Sequence, residues 1–378
     1  MYFKSTTTVK QFNKKKLHKR IPTFILSYFR WIGFVEASHQ HCKRFAVPYV
    51  LDFFVFLTCL DVVANIVIAI DPIDSRIDTI FVSSLLLTMV VWYTMRYKNK
   101  SFTNFLQTFE GISSSSTQKK FNFLVILNFC TAVIFSSYLT SGISRSEAAN
   151  NFLYGYEISN FSIQTITIAI KSFLAYMLFP TFGNVFALLY IFLCHCSSDN
   201  LNSLTREIEK TLLEDFTLSK QIDILNKRAR VYEILLNIEK IFSVPIFFTI
   251  VANVLMLSSI SGWFLIGNWN ETDFAWKIET SFLGTNASLY LTSTLWAAGT
   301  VSIEMRKFKE VFHYKTHLKL LSKYSEEQLH LKMDLMNEPD FVLTAWDVVC
   351  LSKSTILGLF GALFTYTVLL MNTNNQEK

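Results

Sequence analysis

Charge is scarce in this sequence. Asp, Glu, Lys and Arg supply 17% of its 378 residues, where a soluble domain carries about 25%. The deficit gathers the charges between long apolar runs, which describes a polytopic membrane protein rather than a wetted globule. Cysteine is as sparse: Cys42, Cys59, Cys130, Cys194, Cys196 and Cys350 all fall within or on the inner side of those runs. No disulfide between outer loops is therefore expected. No cleavable signal peptide is expected either. Residues 1–20 are Lys-rich, and the first apolar patch, Ile21 to Val35, carries Arg30 and no small-residue cleavage site. The first span then acts as an uncleaved signal-anchor.

Catalytic signatures are absent too. There is no nucleophile triad, phosphate loop or carboxylate pair, so neither enzymatic activity nor a cofactor is expected. His313 and His317 have the spacing of a zinc-protease helix, but Tyr314 stands where the glutamate base belongs. A solvated amphipathic helix is the better reading. Cys194, His195 and Cys196 are adjacent and cannot converge on one metal from a helix, so no metal site is expected. Lys14, Lys15 and Lys16 suit anionic membrane lipid and orientation, not nucleic acid.

What the chain does have is seven apolar runs, at 47–70, 77–95, 123–143, 163–193, 241–267, 281–301 and 348–371. They predict an all-α polytopic membrane protein with seven transmembrane helices. Pro180 predicts a kink in the fourth run. Residues 1–46 form a basic amino-terminal segment, 47–301 a six-span bundle, 302–340 a cytoplasmic anchor, 341–373 the last helix with its approach, and 374–378 a tail. The charged stretch 195–240 keeps helical spacing at Leu201, Leu204, Ile208 and Leu212. In 304–338 the stripe Phe308, Phe312, Leu320, Tyr324 is too apolar for a solvated loop and is expected to meet a helix of another subunit; Pro339 ends it.

Orientation follows Lys and Arg. With the amino terminus inside, the inner segments hold 29 of the 35 Lys and Arg residues, and the outer ones only Arg76, Arg145, Lys277 and Lys378. The carboxy terminus then lies outside. The glycosylation sequons at Asn160 and Asn270 fall in outer loops, and the one at Asn99 falls inside.

Polar residues within the spans are costly in lipid and face protein or water. By depth, the outer half holds Ser136, Ser137, Tyr138, Gln164, Thr167, Lys171, Tyr176, Ser259, Trp263, Asn286 and Tyr290. An outward-opening cleft walled by aromatics with a few polar groups would hold a small solute. The alternative is that hydroxyls bond their own helices while Tyr and Trp form interfacial belts. That alternative is favoured for Ser136, Ser137 and Trp263. The pocket candidates are Tyr138, Gln164, Lys171, Tyr176, Trp263, Asn286 and Tyr290, with Asp61 the acid available to pair with Lys171.

The last run is not uniformly greasy. Gly358, Gly361, Thr365, Leu369 and Asn372 recur at three- and four-residue spacing on one helical face. Such a face packs tightly on another helix or lines water, and the spacing alone favours packing. The approach Phe341…Ala345-x-Asp347…Leu351 and the ending Thr365-Tyr366, five mostly apolar residues, Asn372, Thr373 resemble the carboxy-terminal signature of insect gustatory receptors. That signature is Thr-Tyr, five hydrophobics, then Gln-Phe. Asn372 keeps the amide, and Thr373 loses the aromatic.

The resemblance implies a ligand-gated, non-selective cation channel for small-molecule tastants in the plasma membrane of sensory neurons. It implies a homotetramer or a heterotetramer with related subunits, anchored by the cytoplasmic helices. Gly361, Thr365, Val368, Leu369, Asn372 and Thr373 would line the pore or gate, with Lys353 snorkelling away from it. Because threonine cannot dewet a pore as phenylalanine does, the hydrophobic barrier is expected one turn deeper, at Leu369 or Val368. An odorant-receptor-type subunit needing a co-receptor, or a non-sensory transporter or scaffold, stands as the alternative. An inside amino terminus is inverted relative to G-protein-coupled receptors, whose Asp-Arg-Tyr and Asn-Pro-x-x-Tyr motifs are missing.

Epitope tags at the two ends test the orientation. The carboxy-terminal tag should stain intact cells and the amino-terminal tag only permeabilised ones; the reverse would end both the topology and the resemblance.

Overall fold

The computed structural model describes residues 21–35, 46–68, 75–109, 115–142, 153, 160–266, 274–322 and 325–376. Save for the break at Phe179 and for residues 348–352, which precede the last helix, the described parts of the apolar runs lie within helices. In order these are α1 (Thr23–Trp31), α2 (Ala46–Ile68), α3 (Ser75–Tyr97), α4 (Asn99–Thr108), α5 (Ser115–Gly142) and α6 (Phe161–Tyr176). After a wide turn, Met177–Phe182, come α7 (Gly183–Lys210), α8 (Leu218–Ile266), α9 (Phe274–Ser322), α10 (Glu326–Asn337) and α11 (Lys353–Gln376). Two-residue strands β1 (Thr344–Ala345) and β2 (Val349–Cys350) pair antiparallel just before α11. Among the described residues, 79–97, 116–138, 161–210 and 218–265 are long and apolar enough to cross a membrane unaided. The architecture is an all-α polytopic membrane fold.

The break in the fourth run is at Pro180, as its sequence predicts. A residue before proline is pushed out of the helical region, and Phe179 is extended (φ −136°, ψ 120°). Pro245 acts differently, because α8 runs on through it. Its missing N–H leaves the carbonyl of Ile241 without an intrahelical donor. The ammonium of Lys98, between α3 and α4, fills that gap by donating to Ile241 O (3.2 Å) and Lys240 O (3.0 Å).

Both acids of the first span are paired. Asp52 accepts from Arg96 Nη2 (2.8 Å) and Trp92 Nε1 (2.8 Å), and Arg96 also donates to Gly33 O (2.9 Å). This knot ties α2 and α3 to the end of α1. The apolar patch that forms α1 is itself core: Ile25, Leu26 and Phe29 are buried.

Helices α8 and α9 have 49 residues each, about 74 Å of helix at 1.5 Å per residue and well beyond a ~30 Å hydrocarbon slab. Their charged halves pack together with the end of α7. Here one expectation is corrected. Phe308 and Phe312 do not await another subunit: both are fully buried within the chain. Phe312 packs edge-on against Phe216 (5.8 Å), and the guanidinium of Arg228 lies 5.7 Å from the centre of the Phe308 ring. Leu320 is half-buried on the same helix, and Tyr324 lies outside the described residues. An amphipathic stripe demands a partner, and the chain's own α7–α8 connection and the first turns of α8 supply it. Lys315 and Lys319 complete the joint by donating to the carbonyls of Ile208, Thr211 and Leu213 at the end of α7, where cations meet the negative end of the helix dipole.

Phe312→Ala should therefore destabilise the single chain, by about 3–5 kcal/mol. Thermal unfolding of purified protein in detergent, followed with tryptophan fluorescence, should show a clear fall in Tm. An unchanged Tm with loss of assembly alone would restore the intersubunit reading.

Candidate functional site

Three asparagines from helices far apart in sequence meet in the middle of the bundle. Asn128 on α5 accepts through Oδ1 from Asn184 Nδ2 of α7 (2.6 Å) and donates through Nδ2 to the Tyr290 hydroxyl of α9 (2.7 Å). Asn184 also donates to Asn286 Oδ1 of α9 (3.0 Å), and Asn286 returns a bond to Asn184 Oδ1 (3.3 Å). Asn128, Asn184 and Tyr290 are buried. A buried amide is tolerated only when its donors and acceptors are used, and here each bonds another.

Beside this cluster is a cavity of about 10 Å³, on the order of the room one water needs. Its wall combines Asn184, Asn286, Tyr290, Thr88, Thr249 and Asn253 with Phe179, Pro180, Val91, Gly183 and Ala252. The lining holds no charged residue, so it offers amide and hydroxyl bonds and an aromatic face. The turn at Phe179–Pro180 shapes one side. Because α6 stops there and α7 restarts, Asn184 enters the bundle one turn after the break.

Of the seven pocket candidates, Asn286 and Tyr290 are at this cavity. Tyr176 is buried on α6 against Phe135 (ring centroids 5.8 Å), and its hydroxyl donates to Glu279 near the start of α9. Trp263 lies 5.3 Å from Phe81, in an aromatic cluster that Phe179 also joins. Lys171 meets Asp61 at 2.6 Å, the pairing expected from the sequence, and so links α6 to α2. Gln164 is buried on the same face of α6 as Ser172 and Tyr176, and Tyr138 is half-buried on α5. These five stand away from the cavity wall.

Asn128, Asn184, Asn253, Thr88, Thr249 and Phe179 were not among the candidates. The available signal was an amide inside an apolar run, a costly placement at any depth. Sorting by outer-half position passed over it.

Around α11 the picture is different. Leu357, Phe364 and Leu369 are exposed, and a Cβ added at Gly358 or Gly361 would meet no atom within 4 Å. The face carrying Gly361, Thr365, Val368 and Leu369 is thus open in the single chain, while Leu363 and Tyr366 turn partly inward. Thr365 bonds back to Gly361 O (2.9 Å). Asn372 and Thr373 belong to α11, but their side chains lie outside the described residues. Lys353 rests over the Trp296 ring at 4.0 Å, which holds its charge against α9. Asn160 is exposed and caps α6 by accepting from Ser162 N (3.1 Å); Asn270 lies outside the described residues.

No known family pattern and no curated protein matches the sequence. In fold, the chain is similar to the insect olfactory receptor OR5 from Machilis hrabei, with a TM-score of 0.69 and 15% identity over 95% of this chain and 98% of that one. It is also similar to the same receptor in complex with eugenol, with a TM-score of 0.64 and 15% identity over the same shares.

Replacing Asn128 with leucine leaves Asn184 and Tyr290 each short of a partner. The expected loss is about 1–3 kcal/mol, read as a fall in Tm in detergent. No change in Tm would mean the amide cluster contributes nothing to the fold.

Proposed function

We propose that the chain is a subunit of a chemoreceptor channel of the insect gustatory and odorant receptor kind. A small molecule binds in the bundle, and a pore lined by α11 then passes cations without fine selection. The observation that carries this reading is the likeness of fold to an insect olfactory receptor over 95% of the chain. The Thr365-Tyr366 signature on α11 draws it toward taste. An odorant-receptor-type subunit working with a co-receptor is the second reading, favoured by the likeness of fold to an olfactory receptor. The protein would sit in the plasma membrane of sensory neurons, as a homotetramer or with related subunits, and carry sugar at Asn160 and Asn270.

In this reading the ligand enters the cavity beside Asn184, Asn286 and Tyr290. A site of about 10 Å³ must widen to admit it, so binding separates helices and exchanges amide–amide bonds for amide–ligand bonds. The open face of α11 faces the conduction path. Leu369 or Val368 forms the hydrophobic barrier, and Asn372 an amide ring above it.

Single-chain expression with current recording, under a panel of sugars, alkaloids and phenolic volatiles, tests the proposal. A ligand-evoked cation current supports it; solute flux without channel current supports a transporter. Leu369→Ser should raise basal leak current severalfold, and Asn372→Ala should alter conductance or ion preference. Thr365→Cys, Leu369→Cys and Asn372→Cys should react with water-borne thiol reagents faster on opening, with Leu363→Cys and Leu370→Cys silent. Equal labelling around the helix would put the pore on another span.

A further inference from the structure

The two-stranded hairpin ahead of α11 grips α8 on both sides of its proline. Thr344 donates to Glu239 Oε1 through its backbone N–H (3.1 Å) and its hydroxyl (2.8 Å). Trp346 donates its backbone N–H to Ser243 Oγ (2.7 Å). Those two contacts lie before Pro245. The Trp346 ring packs against Phe247 (5.2 Å) and Phe248 (5.5 Å), just past it. Trp346 and Asp347 both hold left-handed backbone (φ 52° and 54°), a costly conformation for a bulky side chain. The hairpin accepts that strain in the geometry that lays the indole against Phe247 and Phe248.

Pro245 is a weak point in a 49-residue helix, since one intrahelical bond is missing there. On its far side, within two turns, are Thr249, Ala252 and Asn253 of the cavity wall. On the other side of the hairpin, α11 begins directly. Its first residue is pressed against α9, where a Cβ on Gly299 would come within 2.8 Å of Lys353 N.

We infer that the Pro245 break and the hairpin form one hinge, through which a displacement of the cavity segment of α8 is transmitted to the base of α11. Trp346 is its positioning residue. The inference rests on the proposed function for its purpose, but the mechanical coupling is independent of it. Lys98 keeps the broken turn supplied with a donor, so the hinge bends without exposing an orphan carbonyl in low dielectric. Glu239 holds the hairpin from below, and Phe247 and Phe248 move it from above.

Hydrogen exchange on the purified full chain in lipid nanodiscs tests the hinge without any ligand. Trp346→Ala should speed exchange about tenfold in both 241–249 and 353–360, leaving 183–200 unchanged. Pro245→Ala restores the missing bond and should slow exchange in the same two segments together. A change confined to one of the two segments in both variants would overturn the hinge. Current recording supplies the second arm: Trp346→Ala should shift basal open probability severalfold. Coupled exchange without any current leaves the hinge standing and removes the channel reading. A current unmoved by Trp346→Ala and by Pro245→Ala, together with uncoupled exchange in the two segments, overturns the hinge and leaves the channel reading intact.

Discussion

Hydrocarbon offers no hydrogen bond, so a polar group that this chain carries into the bundle is held at least cost when its partner lies within the protein. The structure is arranged around that demand. Asp52 is met by Arg96 and Trp92, Asp61 by Lys171, and Asn128 by Asn184 and Tyr290. The carbonyl that Pro245 leaves open is met by Lys98. Each of these bonds joins different elements, so satisfying the polar groups also decides which helices lie side by side. Apolar packing alone is undemanding about neighbours when lipid is as greasy as leucine. The polar contacts supply the missing selectivity.

The gross fold was legible because its signal is of first order. Seven runs long enough to cross ~30 Å of hydrocarbon can hardly be read as anything but a polytopic membrane protein. Pro180 could be placed as a break because ring geometry acts locally. The Asp61–Lys171 pair was also within reach, since two opposite charges at membrane depth have few other ways to be tolerated.

Other features escaped for definable reasons. Periodicity tells that Phe308 and Phe312 need a covering helix, but not whether that helix belongs to the same chain. The amide cluster depends on how α5, α7 and α9 converge, which no local pattern encodes. Asn128 and Asn184 each read as one isolated oddity in an apolar run. The hairpin gave no turn signal, because left-handed turn positions usually carry Asn, Asp or Gly, and here one of them is a tryptophan. Its conformation is explained only by what the indole covers on α8.

The glycines of α11 bear on what surrounds the chain. A glycine inside a helix costs roughly 1 kcal/mol relative to alanine, and Gly358 and Gly361 recover nothing from within the chain, since open space surrounds both. Lipid gives no reason to keep them, because acyl chains accommodate any apolar side chain. Gly299 shows the contrast: there the backbone of Lys353 leaves no room for a methyl group. Small residues on the open face of α11 make physical sense when another backbone comes close or when a narrow lumen must stay clear. Either setting lies outside the single chain, in whatever comes to rest against this face. The open face of this last helix is thus the part of the single chain whose sequence is least accounted for by its own fold.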